Sequence, residues 1–158
     1  MSGIDIKIQQ QAGRTQVTIS GVVDESVDLA SLKGLTGHLE FNLKDVRRFN
    51  SAGVRVWIDV LRELDEKCQL SFVECPATVI DQLNMINGFL ASGAVRSFYG
   101  VMICEHCDTE VDHLFDTKEC RELDRLEPVN CDKCKRKMDL DADEDQYLLF
   151  MREPTRIH

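Results

Sequence analysis

Seven cysteines stand in this 158-residue chain, and four of them form two pairs at one spacing, "CEHC" at 104–107 and "CDKC" at 131–134. A two-residue gap lets both thiolates of a Cys-x-x-Cys unit face the same ion, and two units complete a tetrahedral S4 site. Residues 108 to 130 separate the units, near the long end of the spacing such sites use. Cys104, Cys107, Cys131 and Cys134 are therefore the expected ligands of one Zn2+ ion. Four thiolates fill the coordination sphere and leave no position for water or substrate, so the expected role is structural. Iron is the chief rival, because tetrahedral S4 sites accept either metal.

The pairs sit in a region that needs such a staple. A stretch as short as 100–158 cannot build a large core by itself. Its charge also sets it apart: residues 101–158 carry 9 Lys/Arg against 16 Asp/Glu, whereas residues 1–100 carry 10 against 12. Two units are expected, 1–99 and 100–158. With a net charge of −9, phosphate backbones would be repelled, and nucleic acid is not an expected partner. Lys133, Lys135, Arg136 and Lys137 form only a small basic cluster. The start, "MSGIDIKIQQ", has no basic-then-apolar leader, and no apolar run approaches a membrane span. Metal-spaced cysteines without an export signal point to a reducing cytoplasm.

Hydrophobic periodicity outlines the first unit. Ile4, Ile6 and Ile8 alternate with polar residues, as Val17, Ile19 and Val22 nearly do, which predicts a hairpin through "QAGR". Ser26 is placed to cap a short helix carrying Leu29, Leu32 and Leu35, ended by Gly34 and Gly37. "HLEFNL" alternates as a third strand. After Asn50-Ser51, residues Val54, Trp57, Ile58, Leu61 and Leu64 form one helical face, with Arg55/Asp59 and Arg62/Glu66 spaced for ion pairs opposite. "CQLSFVEC" is the next strand, and Pro76 opens a helix striped by Val79, Ile80, Leu83 and Ile86. A short strand near Ser97–Val101 closes the unit. The pattern calls for an α/β fold: a mixed sheet, antiparallel at its start and partly parallel after it, covered by helices.

The segments "VTISGVVDE", "LEFNLKDVRRFNSAGVRVWIDVLREL" and "CQLSFVECPATVIDQLNMING" resemble the STAS domain family, named for sulphate transporters and anti-sigma factor antagonists. Gly21 and Asp24 match the family's Gly-x-hydrophobic-Asp strand end. Ser51, Ala52, Gly53 and Val54 match its Ser/Thr-Ser/Ala-Gly-hydrophobic helix opening. Asn50 stands where many members have Asp, and Asn42 replaces the acidic residue common in the middle strand. The resemblance implies a non-catalytic module that binds a partner protein or, in some members, a nucleotide. In anti-sigma antagonists, the hydroxyl matching Ser51 is phosphorylated by a partner kinase, which breaks the complex. In lipid-transport ABC systems, a stand-alone STAS protein docks on the ATPase subunit instead. The C-terminal unit resembles a zinc ribbon, with Met138 and Leu140 and then "YLLFM" as two strands around the acidic turn "DADED". Rubredoxin-like iron proteins normally have Gly after each second Cys, where this chain has Asp108 and Lys135.

The chemistry of Ser51 can be argued without any family. The first helical N–H groups lack intrahelical acceptors and the positive end of the helix dipole lies there, so a phosphoserine would be tolerated. A pure capping role for Ser51, or for Asn50 itself, is the simpler alternative. Asp24, Asn50, Ser51, Ala52, Gly53 and Val56 are the expected partner-binding residues, with Gly53 leaving room for a partner's close approach. Ala52, Val56 and Val60 would be either a docking stripe or a widening of the buried face. Cys120, His106 and His113 are candidates for a second metal site, although packing explains them as well. Asp139, Asp141, Asp143 and Asp145 alternate like a calcium loop but lack its Gly and final Glu. No nucleophile–base pair or phosphate-binding Gly loop is recognisable, so an enzyme is not expected.

Overall fold

A computed structural model describes residues 4–152. The first hairpin forms as the alternation predicts: β1 (Ile4–Gln11) and β2 (Arg14–Val23) pair antiparallel around Gly13, which takes the left-handed φ of 80° that a tight turn requires. β3 (Gly37–Phe49), α1 (Ser51–Asp65), β4 (Cys68–Val73), α2 (Ala77–Met85) and β5 (Ala94–Val95) follow. They complete a five-stranded sheet in the order β1-β2-β3-β4-β5, in which every pair after the first is parallel. Parallel neighbours in chain order need crossovers: α1 and α2 supply those from β3 to β4 and from β4 to β5, while residues 24–36, with only a 3-10 turn, carry the chain from β2 to β3.

Strand period and helix period meet in the core. Val17, Ile19, Leu39, Phe41, Leu43, Leu70 and Phe72 are buried together with Trp57, Leu61 and Leu64 of α1 and Val79 and Ile80 of α2. Phe41 stacks on Phe72 at 5.1 Å and meets Trp57 edge-on at 6.2 Å. The indole Nε1–H donates to the Phe89 carbonyl at 3.0 Å, so this large ring is buried without an orphaned donor. Intervening strand residues are polar and satisfy one another: Arg14 pairs with Glu40 at 3.0 Å, and the His38 ring meets the Ser71 hydroxyl at 3.1 Å.

A second sheet follows, built from β6 (Ser97–Cys104), β7 (Thr109–Asp116) and β8 (Asp139–Leu140) in the antiparallel order β7-β6-β8. Three short helices, α3 (Thr117–Leu123), α4 (Glu144–Tyr147) and α5 (Leu149–Arg152), accompany it. Cys75 and Phe98 form a bridge between the sheets, with Cys75 N–H donating to Ser97 and Tyr99 N–H donating to Cys75. Tyr147 strengthens the join: its hydroxyl donates to the Tyr99 carbonyl, and its own carbonyl accepts from the Asn84 amide of α2.

Several local expectations fail for physical reasons. Residues after Ser26 form only a 3-10 turn at Ala30–Leu32, because Ser26 spends its backbone N–H and hydroxyl on Asp24 Oδ1 and caps nothing. The strand expected near Ser97–Val101 does not close the first sheet; it is the centre of the second, and β6 runs across position 99. "YLLFM" is helical, not a strand, since Asp143 caps it by accepting from Gln146 N–H and Asp145 pairs with Arg152 at 2.7 Å. The C-terminal part is therefore not purely β. Among the described residues, neither Arg55/Asp59 nor Arg62/Glu66 closes into an ion pair. Such exposed pairs gain too little to fix two long side chains.

Candidate functional site

The two Cys-x-x-Cys units converge. Cys104 ends β6 and Cys107 lies in the tight turn to β7, while Cys131 and Cys134 occupy a loop pinned by the Asn130–Lys137 bridge. All four Sγ atoms lie within 4.8 Å of one another, and Cys104 and Cys134 approach to 3.5 Å. A tetrahedral S4 site with metal–sulfur bonds of about 2.3 Å needs sulfur separations of roughly 3.8 Å, so the set fits one ion. Cys104 and Cys131 are buried, and Cys107 and Cys134 are half-buried. Backbone N–H groups of Cys134 and Lys133 pull the Cys131 thiol down to about 7. Its neighbour Cys107 moves the other way, up to about 12, through its hydrogen bond to Cys134 and through burial. One thiolate is thus favoured before any cation arrives, and protons must leave the others.

Each unit turns back on itself through the residue after its second cysteine. Asp108 and Lys135 both adopt left-handed φ, 54° and 65°. Lys135 N–H then returns to the Cys131 carbonyl at 2.8 Å. Glycine is the usual occupant of this conformation, and the sequence has none at either place, so this part of the geometry was not readable from residue type.

Other metal candidates do not assemble. Among the described residues, the four cysteines are the one ligand cluster. Cys120 is fully buried in the core, His113 packs edge-on against Phe115 at 4.7 Å, and His106 is exposed. Burial pushes the Cys120 thiol up, as it does that of Cys75, and both behave as small apolar groups. The Asp139–Asp145 run is taken up by the Asp143 cap and the Asp145–Arg152 pair.

The second candidate region surrounds Ser51. Asn50, not Ser51, caps α1: its Oδ1 accepts from Gly53 N–H at 2.7 Å, and its Nδ2 donates to Glu25 Oε2 at 2.7 Å. Ser51 occupies the first helical position, exposed, with no hydrogen bond from its hydroxyl among the described residues. Asp24 is half-buried at the end of β2, where the Ser26 hydroxyl and N–H hold its carboxyl below the usual range. Glu25 is lowered likewise by the Asn50 amide. Ala52 is exposed and Val56 half-buried, while Val60 is 6% exposed and belongs to the core, so the apolar stripe is in part a widened buried face. Gly53 is buried. The place where its Cβ would stand is filled by the Val23 carbonyl, 2.0 Å away, so the space it leaves is used by this chain and not by a partner.

This division of labour has a measurable consequence. Asn50→Ala is expected to cost about 1 kcal/mol in denaturant unfolding through the lost cap. Ser51→Ala, with no bond to lose, should stay within about 0.5 kcal/mol of the native chain. Equal losses for the two would contradict the assignment of the cap.

Asn42, the neutral residue in the middle strand, also gains an explanation. Its amide donates to Glu74 Oε2 at 2.5 Å, and Glu74 Oε1 accepts from the Tyr99 hydroxyl at 2.9 Å. An acid at position 42 would face the Glu74 carboxylate. Burial and this hydrogen bond raise the Tyr99 hydroxyl to about 12. In comparisons with known proteins, no family model and no curated protein matches the chain.

Proposed function

We propose that this chain is a non-catalytic regulatory module of the STAS kind that binds a partner protein through the surface around Ser51, and that its four cysteines hold one structural Zn2+ in a ribbon. The observation that carries the reading is the free hydroxyl of Ser51. It stands exposed at the first turn of a 15-residue helix whose cap is made by its neighbour. A residue relieved of capping can be modified without loss of the helix. A phosphate there would meet the unsatisfied N–H groups and the positive dipole end, while adding up to about two negative charges to the docking surface. The order of the first sheet, one antiparallel pair followed by parallel strands, is compatible with the resemblance of the sequence.

The partner is a regulatory protein, of the anti-sigma kinase type or an ATPase subunit of a lipid-transport system. Asp24, Asn50, Ala52 and Val56 flank Ser51 and supply a rim of polar groups beside a small apolar contact. Zinc is favoured for the cysteine site because four thiolates suit it and close its coordination sphere. Pull-down from the native organism tests the switch. Ser51→Ala should retain the partner and Ser51→Asp should weaken it at least about tenfold, the scale of a charge placed in an interface. Equal recovery with both variants and the native chain would reduce Ser51 to a helix residue.

A further inference from the structure

Sheet edges expose unpaired N–H and C=O groups, and proteins usually keep them short, charged or covered. In this chain β5 and β8 are two residues long, but β1 offers eight residues on an outer edge that no other described strand pairs. Its side chains have a particular pattern. Ile4, Ile6 and Ile8 lie on the core side of the sheet, since Ile6 and Ile8 oppose the buried Ile19 and Val17 of β2. The isoleucine row continues the core to the rim, where Ile8 is left 37% exposed. On the opposite face stand Asp5 and Lys7, both exposed, opposed within the chain only by the hydroxyls of Ser20 and Thr18. Neither takes part in an ion pair among the described residues.

We propose that β1 is a homodimer edge, at which two copies of this chain pair antiparallel about a two-fold axis through Ile6 and join their five-stranded sheets into one. In that register Ile4 faces Ile8 of the second copy, Ile6 faces Ile6, and Asp5 faces Lys7 twice. All three isoleucines of each copy gain a like neighbour, and both unpaired charges gain an opposite one. Adjacent registers are poorer. Centring on Asp5 or on Lys7 sets like charges opposite, and centring on Ile8 puts glutamines against Ile6, Lys7 and Asp5. A single register therefore satisfies both faces, which is what fixes strand pairing.

The other long edge shows the contrast. β7 carries Glu110, Asp112 and Asp116, and every self-pairing centred from Val111 to Leu114 sets an acid opposite an acid. That edge is protected against self-association; β1 is complementary to itself. A second copy is thus the occupant that the charge pattern selects, and it leaves the Ser51 surface for a different partner.

Sedimentation of the full chain at micromolar concentration should give the mass of two chains. Lys7→Asp turns both attractions into repulsions and should weaken the dimer at least about tenfold. The double exchange Asp5→Lys with Lys7→Asp restores opposite charges and should restore the dimer. Circular dichroism of each variant checks that the monomer is folded. A monomeric native chain, or a dimer indifferent to Lys7→Asp, would overturn the proposal, as would a double exchange that fails to recover association while remaining folded.

Discussion

Cys131→Ser combined with Cys134→Ser is expected to abolish metal binding and to destabilise the C-terminal part by several kcal/mol, the largest effect anticipated for this chain. Structural metal sites contribute their binding free energy to folding, because the ligands converge only in the folded state. The segment most dependent on it is 124–138, which contains almost no regular structure. It is held by Cys131 N–H to Arg136, Met138 N–H to Val129, and the burial of Leu126, Val129 and Met138. Without the ion, that loop and the two-residue β8 have little to keep them against β6. Hydrogen exchange should show lost protection there and at the Cys104–Cys107 turn. β2, β3 and β4 should stay protected by the core around Phe41, Phe72 and Trp57. Fast exchange throughout the first sheet would mean that the Tyr147 and Phe98 contacts make the two sheets one cooperative unit.

The same site predicts a direction with pH. Metal binding needs four thiolates, so protons and cation compete, and occupancy must fall as pH falls. Backbone N–H groups hold the Cys131 thiol low while Cys107 is raised, so these two ligands do not give up their protons together. Metal release followed with a chromophoric chelator should accelerate below neutral pH. Release that slows in acid would contradict thiolate ligation.

What the sequence disclosed depended on whether one interaction dominated each segment. α1 was legible because Trp57, Leu61 and Leu64 recur at the helical period and are all fully buried. The cysteine cluster was legible because ligand spacing is dictated by the ion, independently of the surrounding fold. The Leu29–Leu35 stretch was not. Its leucine spacing fits a helix, but Ser26 is bonded to Asp24 and does not cap one, and only the 3-10 turn Ala30–Leu32 forms. "YLLFM" is continuous in hydrophobicity, so period could not separate strand from helix, and the Asp143 cap decided it. The roles of Asn50 and Ser51 were likewise open, since both residue types cap helices. Only the 2.7 Å bond from Gly53 N–H assigns the cap to Asn50.

Gly53→Ala should destabilise the first sheet by about 3 kcal/mol or more, although it adds one methyl group near a helix start. Backbone conformation is not the reason, as Gly53 lies outside the left-handed region. The reason is contact. An added Cβ would stand 2.0 Å from the Val23 oxygen, 2.4 Å from its carbonyl carbon and 2.8 Å from Asp24 N. All three are backbone atoms, so no side chain can rotate away, and either β2 or the first turn of α1 must move. That movement would also strain the Asn50 N–H bond to the Val23 carbonyl at 3.1 Å and the cap beside Ser51. Gly93 is crowded in another way: its nearest obstacle at 2.3 Å is the Phe72 ring, fully buried and stacked on Phe41, with the Leu90 carbonyl oxygen at 3.0 Å. Gly34 is the neutral control: nothing lies within 4 Å of its Cβ position, so Gly34→Ala should change stability by under about 0.5 kcal/mol. Urea unfolding of the three alanine variants should place the losses at both Gly53 and Gly93 far above that at Gly34. A Gly53→Ala chain as stable as Gly34→Ala would show that the α1 start is not wedged against β2. The surface proposed around Ser51 would then lack a rigid backing.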